Sequence, residues 1–292
     1  MLSTAPSKTF FTANGLSDAP SSAMPDSQPA RPEQGFTSTK SLSALPTDAD
    51  VIHAITSGAG LRLMYQPQYD LHSMRMTGAE AQLCWRHSVN GDVPLSVLAP
   101  MAHRLGLHML LFNFIVTQAI DVLSHLRRLN ENVSLRVHVP ACTICEPGIA
   151  IFLSNRMSRA GLPPRMLTID VREDLVAFDA PRLLACLGTL RTKGIPLSLN
   201  VSVVSPAVLN VLSTMLFDEV RIDAGLIHAE EHASVRAMAS RFKLKLHTQG
   251  IDNDAMMAPL RRMGCGTGQG QALSCPLERE DFLNGKMSKF AL

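Results

Sequence analysis

A short stretch of the chain groups three residues that could bind a metal ion: His138, Cys142 and Cys145 form an H-x3-C-x2-C pattern. Imidazole and thiolate groups suit Zn²⁺, but a zinc site needs three or four ligands. A fourth ligand would have to come from a residue distant in sequence, such as Cys265. The alternative interpretation is a strand end followed by a helix that carries two small buried thiols, and the weak spacing favours it.

The other chemically versatile residues are scattered along the chain. Most of the ten histidines stand singly, without an H-E-x-x-H or comparable spacing, so structural roles are expected for them. The six cysteines lie in a long chain without a recognisable secretory signal. Free thiols in a reducing cytoplasm are therefore predicted.

The elements that must position any site alternate regularly from about Asp50 onward. Helical patterns are predicted at 105–126 and 181–193, with further helical character up to Ala160. Strand-like runs are predicted at 61–65, 75–82, 133–139, 166–171, 195–204, 219–223 and 243–248. This alternation indicates parallel α/β architecture, and the number of units fits a (β/α)8 barrel. In such a barrel, functional residues follow the carboxyl ends of the strands.

Composition excludes several classes of function. The formal charge is +2 and aromatic residues make up 5% of the chain, which argues against bulk electrostatic binding of nucleic acid and against base-stacking platforms. The arginine pairs at 127–128 and 261–262 fit solvated helix faces, and no DNA-binding motif accompanies them. Direct DNA binding is therefore not expected. The most apolar stretch, 105–123, is interrupted by polar residues and is not expected to span a membrane.

Residues 1–50 differ from the rest of the chain. Ser, Pro, Thr and Ala account for 28 of these 50 residues, and the net charge of the segment is −2 against +4 for the remainder. Such a segment buries too little apolar surface to offset its ordering entropy. We predict a disordered tail over 1–50 and one folded domain over 51–292.

The predicted strand ends carry a co-linear series of short motifs. The series consists of Tyr65-Gln66-Pro67, Gly78-Ala79-Glu80-Ala81, Trp85, Leu167-Thr168-Ile169-Asp170, Arg221-Ile222-Asp223, Gly250, Gln269-Gly270 and Ser274-Cys275-Pro276-Leu277. Its order and spacing over about residues 55–290 resemble the EAL domain, the family of cyclic-di-GMP phosphodiesterases. The resemblance implies a TIM-like barrel, in agreement with the strand and helix alternation.

The resemblance also implies a site for two divalent cations that hydrolyses a phosphodiester. Its metal-binding positions retain Glu80, Asp170 and Gln269. The other ligand positions fall on His138, Asn200, Val201 and Gln249, and the base-positioning lysine falls on Arg221. About five acidic ligands of the family are thus reduced to two. We interpret the three retained residues as vestigial positions, and we expect neither Mg²⁺ nor Mn²⁺, nor any other cofactor.

A remnant of the nucleotide pocket is predicted at Gln66, Pro67 and Glu80. The family's phosphate-binding arginine falls on Cys84, which cannot make a bidentate contact to a phosphate. Three functions follow as hypotheses. The first is a catalytically inactive cytoplasmic regulator that binds a regulatory protein or transcription factor, similar to a small stand-alone EAL-type repressor of virulence genes. The alternatives are a receptor for cyclic di-GMP that does not cleave it, and a residual phosphodiesterase.

Overall fold

A computed structural model describes residues 46–172, 180–201, 205–226 and 232–285. The strands are β1 (Leu61–Asp70), β2 (Met76–His87), β3 (Gly91–Pro94), β4 (Ser134–His138), β5 (Leu167–Arg172), β6 (Leu197–Val201), β7 (Glu219–Asp223), β8 (Lys245–Gln249) and β9 (Thr267–Gly268). The helices are α1 (Asp48–Ser57), α2 (Leu95–Arg104), α3 (His108–Arg128), α4 (Ala141–Ile144), α5 (Ile149–Arg159), α6 (Ala180–Thr192), α7 (Pro206–Leu212), α8 (His232–Phe242), α9 (Met257–Met263) and α10 (Arg279–Leu283).

Eight of the strands in the described residues close a barrel, which confirms the predicted architecture. The order is β1-β9-β8-β7-β6-β5-β4-β2, the β1–β2 pairing closes the ring, and β3 adds to β2 outside it. The strands from β2 through β4 to β9 are parallel, but β1 is antiparallel to both of its neighbours. The barrel thus differs from a wholly parallel sheet at β1 alone among its eight described strands. Only five residues join β1 to β2, too few for a crossover helix, so the two strands form a hairpin.

The first described helix begins before residue 51. Helix α1 starts at Asp48 because Thr47 forms a capping box with Asp50, in which each residue accepts a hydrogen bond from the other's backbone N–H. The predicted tail otherwise falls on residues 1–45, which lie outside the described residues. Residues 202–204, the end of the predicted strand 195–204, also lie outside them.

The barrel strands alternate between an apolar outer face and a polar inner face. On β5, for example, Leu167, Ile169 and Val171 are buried beneath the helices while Asp170 points into the lumen. Helix α3 is long and apolar enough to cross a membrane by length and composition. However, its buried stripe packs on α1, α2, α5 and β4, as in a core helix.

A close backbone approach fixes the end of the barrel. Gly270 lies against the backbone of Ile251, and a Cβ atom at position 270 would overlap the Ile251 carbonyl and amide. Leu273 and Ser274 both donate backbone hydrogen bonds to the Gly270 carbonyl. Position 270 therefore requires glycine, because backbone cannot move aside as a flexible side chain can.

We expect Gly270→Ala to lower the free energy of unfolding by about 3 kcal/mol or more, since overpacking against backbone is not easily relieved. Urea denaturation of the full chain measures this change. Gly266→Ala is the matched control because a Cβ there would meet no atom within 4 Å. Equal stabilities for the two variants would contradict the packing argument.

Candidate functional site

The candidate site is the polar lumen of the barrel, built from inward positions of successive strands. Each strand places one or two polar side chains at similar height, because the parallel register pairs Glu80 with Arg136, His138 with Asp170, and Arg221 with His247. All of these side chains except His138 are buried. Buried polar groups of this kind must find partners inside the protein.

Arg221 holds the two predicted vestigial carboxylates together. Its Nη1 and Nη2 donate to Oε1 and Oε2 of Glu80 at 3.0 and 2.6 Å, a bidentate pair. Nη1 also donates to Oδ2 of Asp170 at 3.2 Å. One guanidinium thus bridges two carboxylates that are 7% and 1% exposed.

A second arginine, Arg136, lies next to this cluster. Its Nη1 is 3.5 Å from Oδ1 of Asp170 and donates to Oγ of Ser198 at 3.0 Å. Its Nη2 pairs with Glu219. His138 lies on the other side of Asp170, with Nδ1 3.7 Å from Oδ2. Asp170 therefore lies among three basic side chains.

Amide side chains complete the lumen. Gln269 donates through Nε2 to Glu80 and to Oε1 of Gln66, the latter at 3.2 Å. Its Oε1 accepts from Nε2 of Gln68 at 2.7 Å and lies 3.2 Å from Nε2 of His247. Gln82 donates to Oε1 of Gln66 at 3.1 Å. The retained Gln269 and Gln66 thus hydrogen-bond to neighbouring side chains rather than facing open space.

Burial and charge act in opposite directions on these groups. Burial is the largest influence on Glu80 and Asp170 and raises the pKa of each. The charge of Arg221 acts together with hydrogen bonds from Arg221 and Gln269 on Glu80, and with His138 and Arg136 on Asp170, and these together hold both pKa values below the ordinary value. For His247, burial together with the charges of Arg136 and Arg221 lowers the pKa well below 6.5. The imidazole is consequently neutral at pH 7.

These residues do not fit a centre for two divalent cations. The two carboxylates are already compensated by Arg221, whose charge lies between them and would repel a cation. At the remaining positions implied by the family resemblance, Asn200 and Gln249 are neutral amides, and Val201 is a buried apolar residue. In the described part of the chain, no group of three His, Cys, Asp or Glu side chains could hold a metal ion, including His138 with Cys142 and Cys145.

The predicted nucleotide edge lies on β1 and β2. Gln66 pairs across the hairpin with Glu80, and Pro67 pairs with Ala79, so the three predicted residues lie side by side. Cys84 is buried, and burial raises the pKa of its thiol to about 11. Opposite Cys84 on β1, Arg62 lies within 3.3 Å of carboxylate oxygens of both Asp92 and Glu278.

Both carboxylates and Gln269 are predicted site residues, but most of the side chains that partner them are not. Arg221 is predicted only as the replacement of a lysine, and no role is predicted for Arg136, Ser198 or Gln68. A usable signal was present in Leu135-Arg136-Val137-His138. Strict alternation of apolar and polar residues within a buried strand indicates that one face lines a polar interior.

A barrel of this topology with a polar lumen defines the class of protein, and comparison with known proteins gives the family. The profile described as the EAL domain matches residues 48–276. The chain therefore belongs to the EAL-domain family. The relatives of this chain include a cyclic di-GMP phosphodiesterase.

Among curated relatives, the bifunctional diguanylate cyclase/cyclic di-GMP phosphodiesterase MucR of Pseudomonas aeruginosa is 26% identical over 232 residues, covering 76% of this chain and 34% of MucR. The oxygen sensor protein DosP of Escherichia coli is 23% identical over 231 residues, covering 76% of this chain and 29% of DosP. The chain thus spans about a third of the length of these relatives.

Solved structures agree on the fold. The MucR phosphodiesterase in complex with c-di-GMP has a TM-score of 0.73 at 24% identity, covering 80% of this chain and 98% of the other. The EAL domain of FimX from Pseudomonas aeruginosa bound to c-di-GMP has a TM-score of 0.70 at 18% identity, covering 80% and 97%. At these identities the likeness establishes the fold alone.

The lowered pKa values in the lumen predict that the folded protein loses stability in acid. Below pH 6.5 the unfolded chain protonates His247 whereas the folded chain does not, so stability falls as the pH decreases. Below pH 4.5 the depressed pKa values of Glu80 and Asp170 add to the loss in the same direction. Between pH 6.5 and 5 the His247 contribution amounts to at most about 2 kcal/mol.

Urea denaturation at pH 8 and pH 5 tests this expectation. His247→Gln should reduce the difference in unfolding free energy between the two pH values, because the other nine histidines are common to both proteins. Identical pH dependence in the variant and the wild type would contradict the assignment to His247.

Proposed function

We propose that this protein is a catalytically inactive EAL-domain regulator that acts through protein–protein contacts. The observation that carries the proposal is the guanidinium of Arg221 between Glu80 and Asp170. A permanent organic cation thus lies between the two carboxylates that the family resemblance implies as metal ligands. Arginine does not deprotonate in proteins, so no pH change frees these carboxylates.

The charge balance supports the same conclusion. Two divalent cations bring four positive charges, which need several anionic ligands in a poorly solvated lumen. Here Glu80, Asp170 and Glu219 face Arg136 and Arg221, so little negative charge is left. Substitution of acids by Asn200, Val201 and Gln249 removes three further charges relative to the family pattern. The lumen can be stable without any metal.

A barrel without hydrolytic chemistry is proposed to work by binding. The partner that we propose is a regulatory protein or transcription factor, and the outcome is repression of virulence- or motility-related genes, by similarity to degenerate EAL proteins of this kind. The cytoplasm is the proposed location. The described residues contain no motif that reads base edges, so DNA contact is assigned to the partner.

The proposal predicts that the full chain forms no linear pGpG from cyclic di-GMP with Mg²⁺ or Mn²⁺. Chromatography of the reaction mixture measures the product, and an active EAL phosphodiesterase serves as positive control. Formation of pGpG that disappears in Glu80→Gln would overturn the proposal and establish a residual phosphodiesterase. The substitution retains the shape of Glu80 and its position beside Arg221 while removing its charge.

A receptor for cyclic di-GMP is the second candidate. Two structural neighbours, the MucR and FimX domains, were solved with c-di-GMP, and Gln66, Pro67 and Glu80 lie together on the β1–β2 hairpin. Against this candidate, Gln66 and Glu80 are buried and hydrogen-bonded within the lumen. Cys84 cannot replace a guanidinium at the phosphate.

Calorimetry separates the two candidates. We expect no heat of binding at tens of micromolar cyclic di-GMP, whereas micromolar affinity would favour the receptor.

Cys84→Arg tests whether the missing phosphate contact limits binding. If Gln66, Pro67 and Glu80 can still contact the nucleotide, the variant should gain at least about tenfold in affinity for cyclic di-GMP through a charge-assisted phosphate contact. Cys84→Ala is the control and should behave as the wild type.

A further inference from the structure

The end of the barrel opposite the strand carboxyl ends is strongly basic. Helices that follow parallel strands end at this side, so the helix carboxyl ends, the loops after them and the β1–β2 turn together form what we call the amino-terminal face. Its exposed cations without an ion-pair partner in the described residues are Arg75, Arg127, Arg128, Arg159, Arg165, Lys193, Lys243, Lys245 and Arg262. The acids at this face are Asp70, Glu131, Asp218 and Glu219; Asp218 is paired with Arg191 at 2.7 Å, and Glu219 is paired with Arg136.

Charge alone does not make this face a binding site, because cations at helix carboxyl ends also stabilise the helix dipole. Backbone conformation supplies an independent observation. The non-glycine residues with positive φ in the described chain are Met74, Asn130, Met215 and Lys243, and all four lie on the amino-terminal face. Asparagine tolerates this region, but methionine and lysine are strained there.

At other helix ends on this face, the residue with positive φ is a glycine. Gly161, Gly194 and Gly264 take positive φ after α5, α6 and α9, as is common after helices. At the ends of α7 and α8, Met215 and Lys243 adopt φ values of 57° and 56° instead. Glycine at either position would remove the strain, so the structure retains two side chains at a cost in stability. Strain of this kind occurs preferentially at functional positions.

A cleft of about 290 Å³ adjoins Lys243, between α8 and α9. Arg236 and Lys243 line it with charge, Leu244 is a partly exposed apolar side chain in its lining, and Leu246 and Met263 lie buried beneath it. Elsewhere on the same face, Leu129 and Met215 expose 53% and 48% of their surface. The face therefore combines cations with apolar contact area.

We propose that the cleft between α8 and α9, with the surrounding cations, binds an acidic amphipathic segment of a partner protein. Carboxylates of the segment pair with Lys243 and Arg236, and an apolar side chain of the segment packs on Leu244. A nucleic acid would use the cations but not the apolar side chains of the face, because its backbone presents phosphates and sugars. The inference rests on the protein-contact part of the proposed function and names the chemistry of the partner.

Fluorescence anisotropy with the full chain tests the proposal. The probe is a labelled 12-residue peptide of alternating Glu and Leu; a peptide with Ser in place of Leu and a 20-base-pair DNA duplex are compared with it. We expect the Glu/Leu peptide to bind most tightly and to lose affinity as salt increases. Lys243→Glu should weaken it at least tenfold, while Arg86→Glu, on β2 away from this face, should leave it unchanged.

Lys243→Gly gives the most specific readout. It removes the strain and the charge together, so the melting temperature should rise by about 2–4 °C while affinity for the peptide falls several-fold. A purely structural role for Lys243 would change stability without changing binding. Lys243→Asn also removes the charge, and asparagine tolerates positive φ. Its affinity for the peptide should therefore fall as well, although the backbone strain is relieved.

Three results would overturn the inference: equal binding of the Ser peptide, tighter binding of the DNA duplex with the same response to Lys243→Glu, or no salt-sensitive binding at all. Failure here is distinguishable from failure of the proposed function. Formation of pGpG at the barrel lumen would refute inactivity while leaving binding at the amino-terminal face intact. Loss of peptide binding without pGpG formation would refute only the partner chemistry.

Discussion

The fold depends on one requirement, that every charge inside the barrel be compensated inside the barrel. Most barrels of this type fill the lumen with branched apolar side chains, whereas this one places Glu80, Asp170, Arg136 and Arg221 there. Removing one member of such a buried set leaves an uncompensated charge, which commonly costs 3–5 kcal/mol. The ion pairs of Arg221 therefore connect β2, β5 and β7 across the lumen, and the amides on β1 and after β9 are arranged around them.

Arginine rather than lysine is essential to this arrangement. A guanidinium presents its donors as a planar fork and meets Glu80 through two nitrogens while one of them also reaches Asp170. An ammonium is a point charge and could not make the same two-nitrogen contact with Glu80. Arg221 thus compensates the two carboxylates and, together with the acids replaced by Asn200, Val201 and Gln249, explains the disagreement between these residues and a metal centre.

Sequence periodicity predicted the fold well because the outer faces of the strands are apolar and regular. The strand 219–223 has the predicted bounds, and 243–248 is shifted by one to two residues. The first strand was predicted to end at Tyr65 but continues to Asp70, since its second half pairs with β2 and with β9, which is about 200 residues away. The carboxylates of Glu80 and Asp170 were predicted as site residues from their places in the series of strand-end motifs. Their partner Arg221 lies 141 residues from Glu80, and local pattern carries no information about such a pairing.

The two ends of the barrel differ in what they offer a ligand. A ligand binds to a site only if the interactions that it forms there are more favourable than those that it replaces. In the lumen, Glu80, Gln66 and Gln269 already have partners, so an incoming phosphodiester would have to break hydrogen bonds and an ion pair before forming its own. At the amino-terminal face, nine exposed cations have no ion pair in the described residues, so a partner can pair with them without breaking an existing ion pair. We therefore place the proposed partner contact at the opposite end of the barrel from the site that the family resemblance implies.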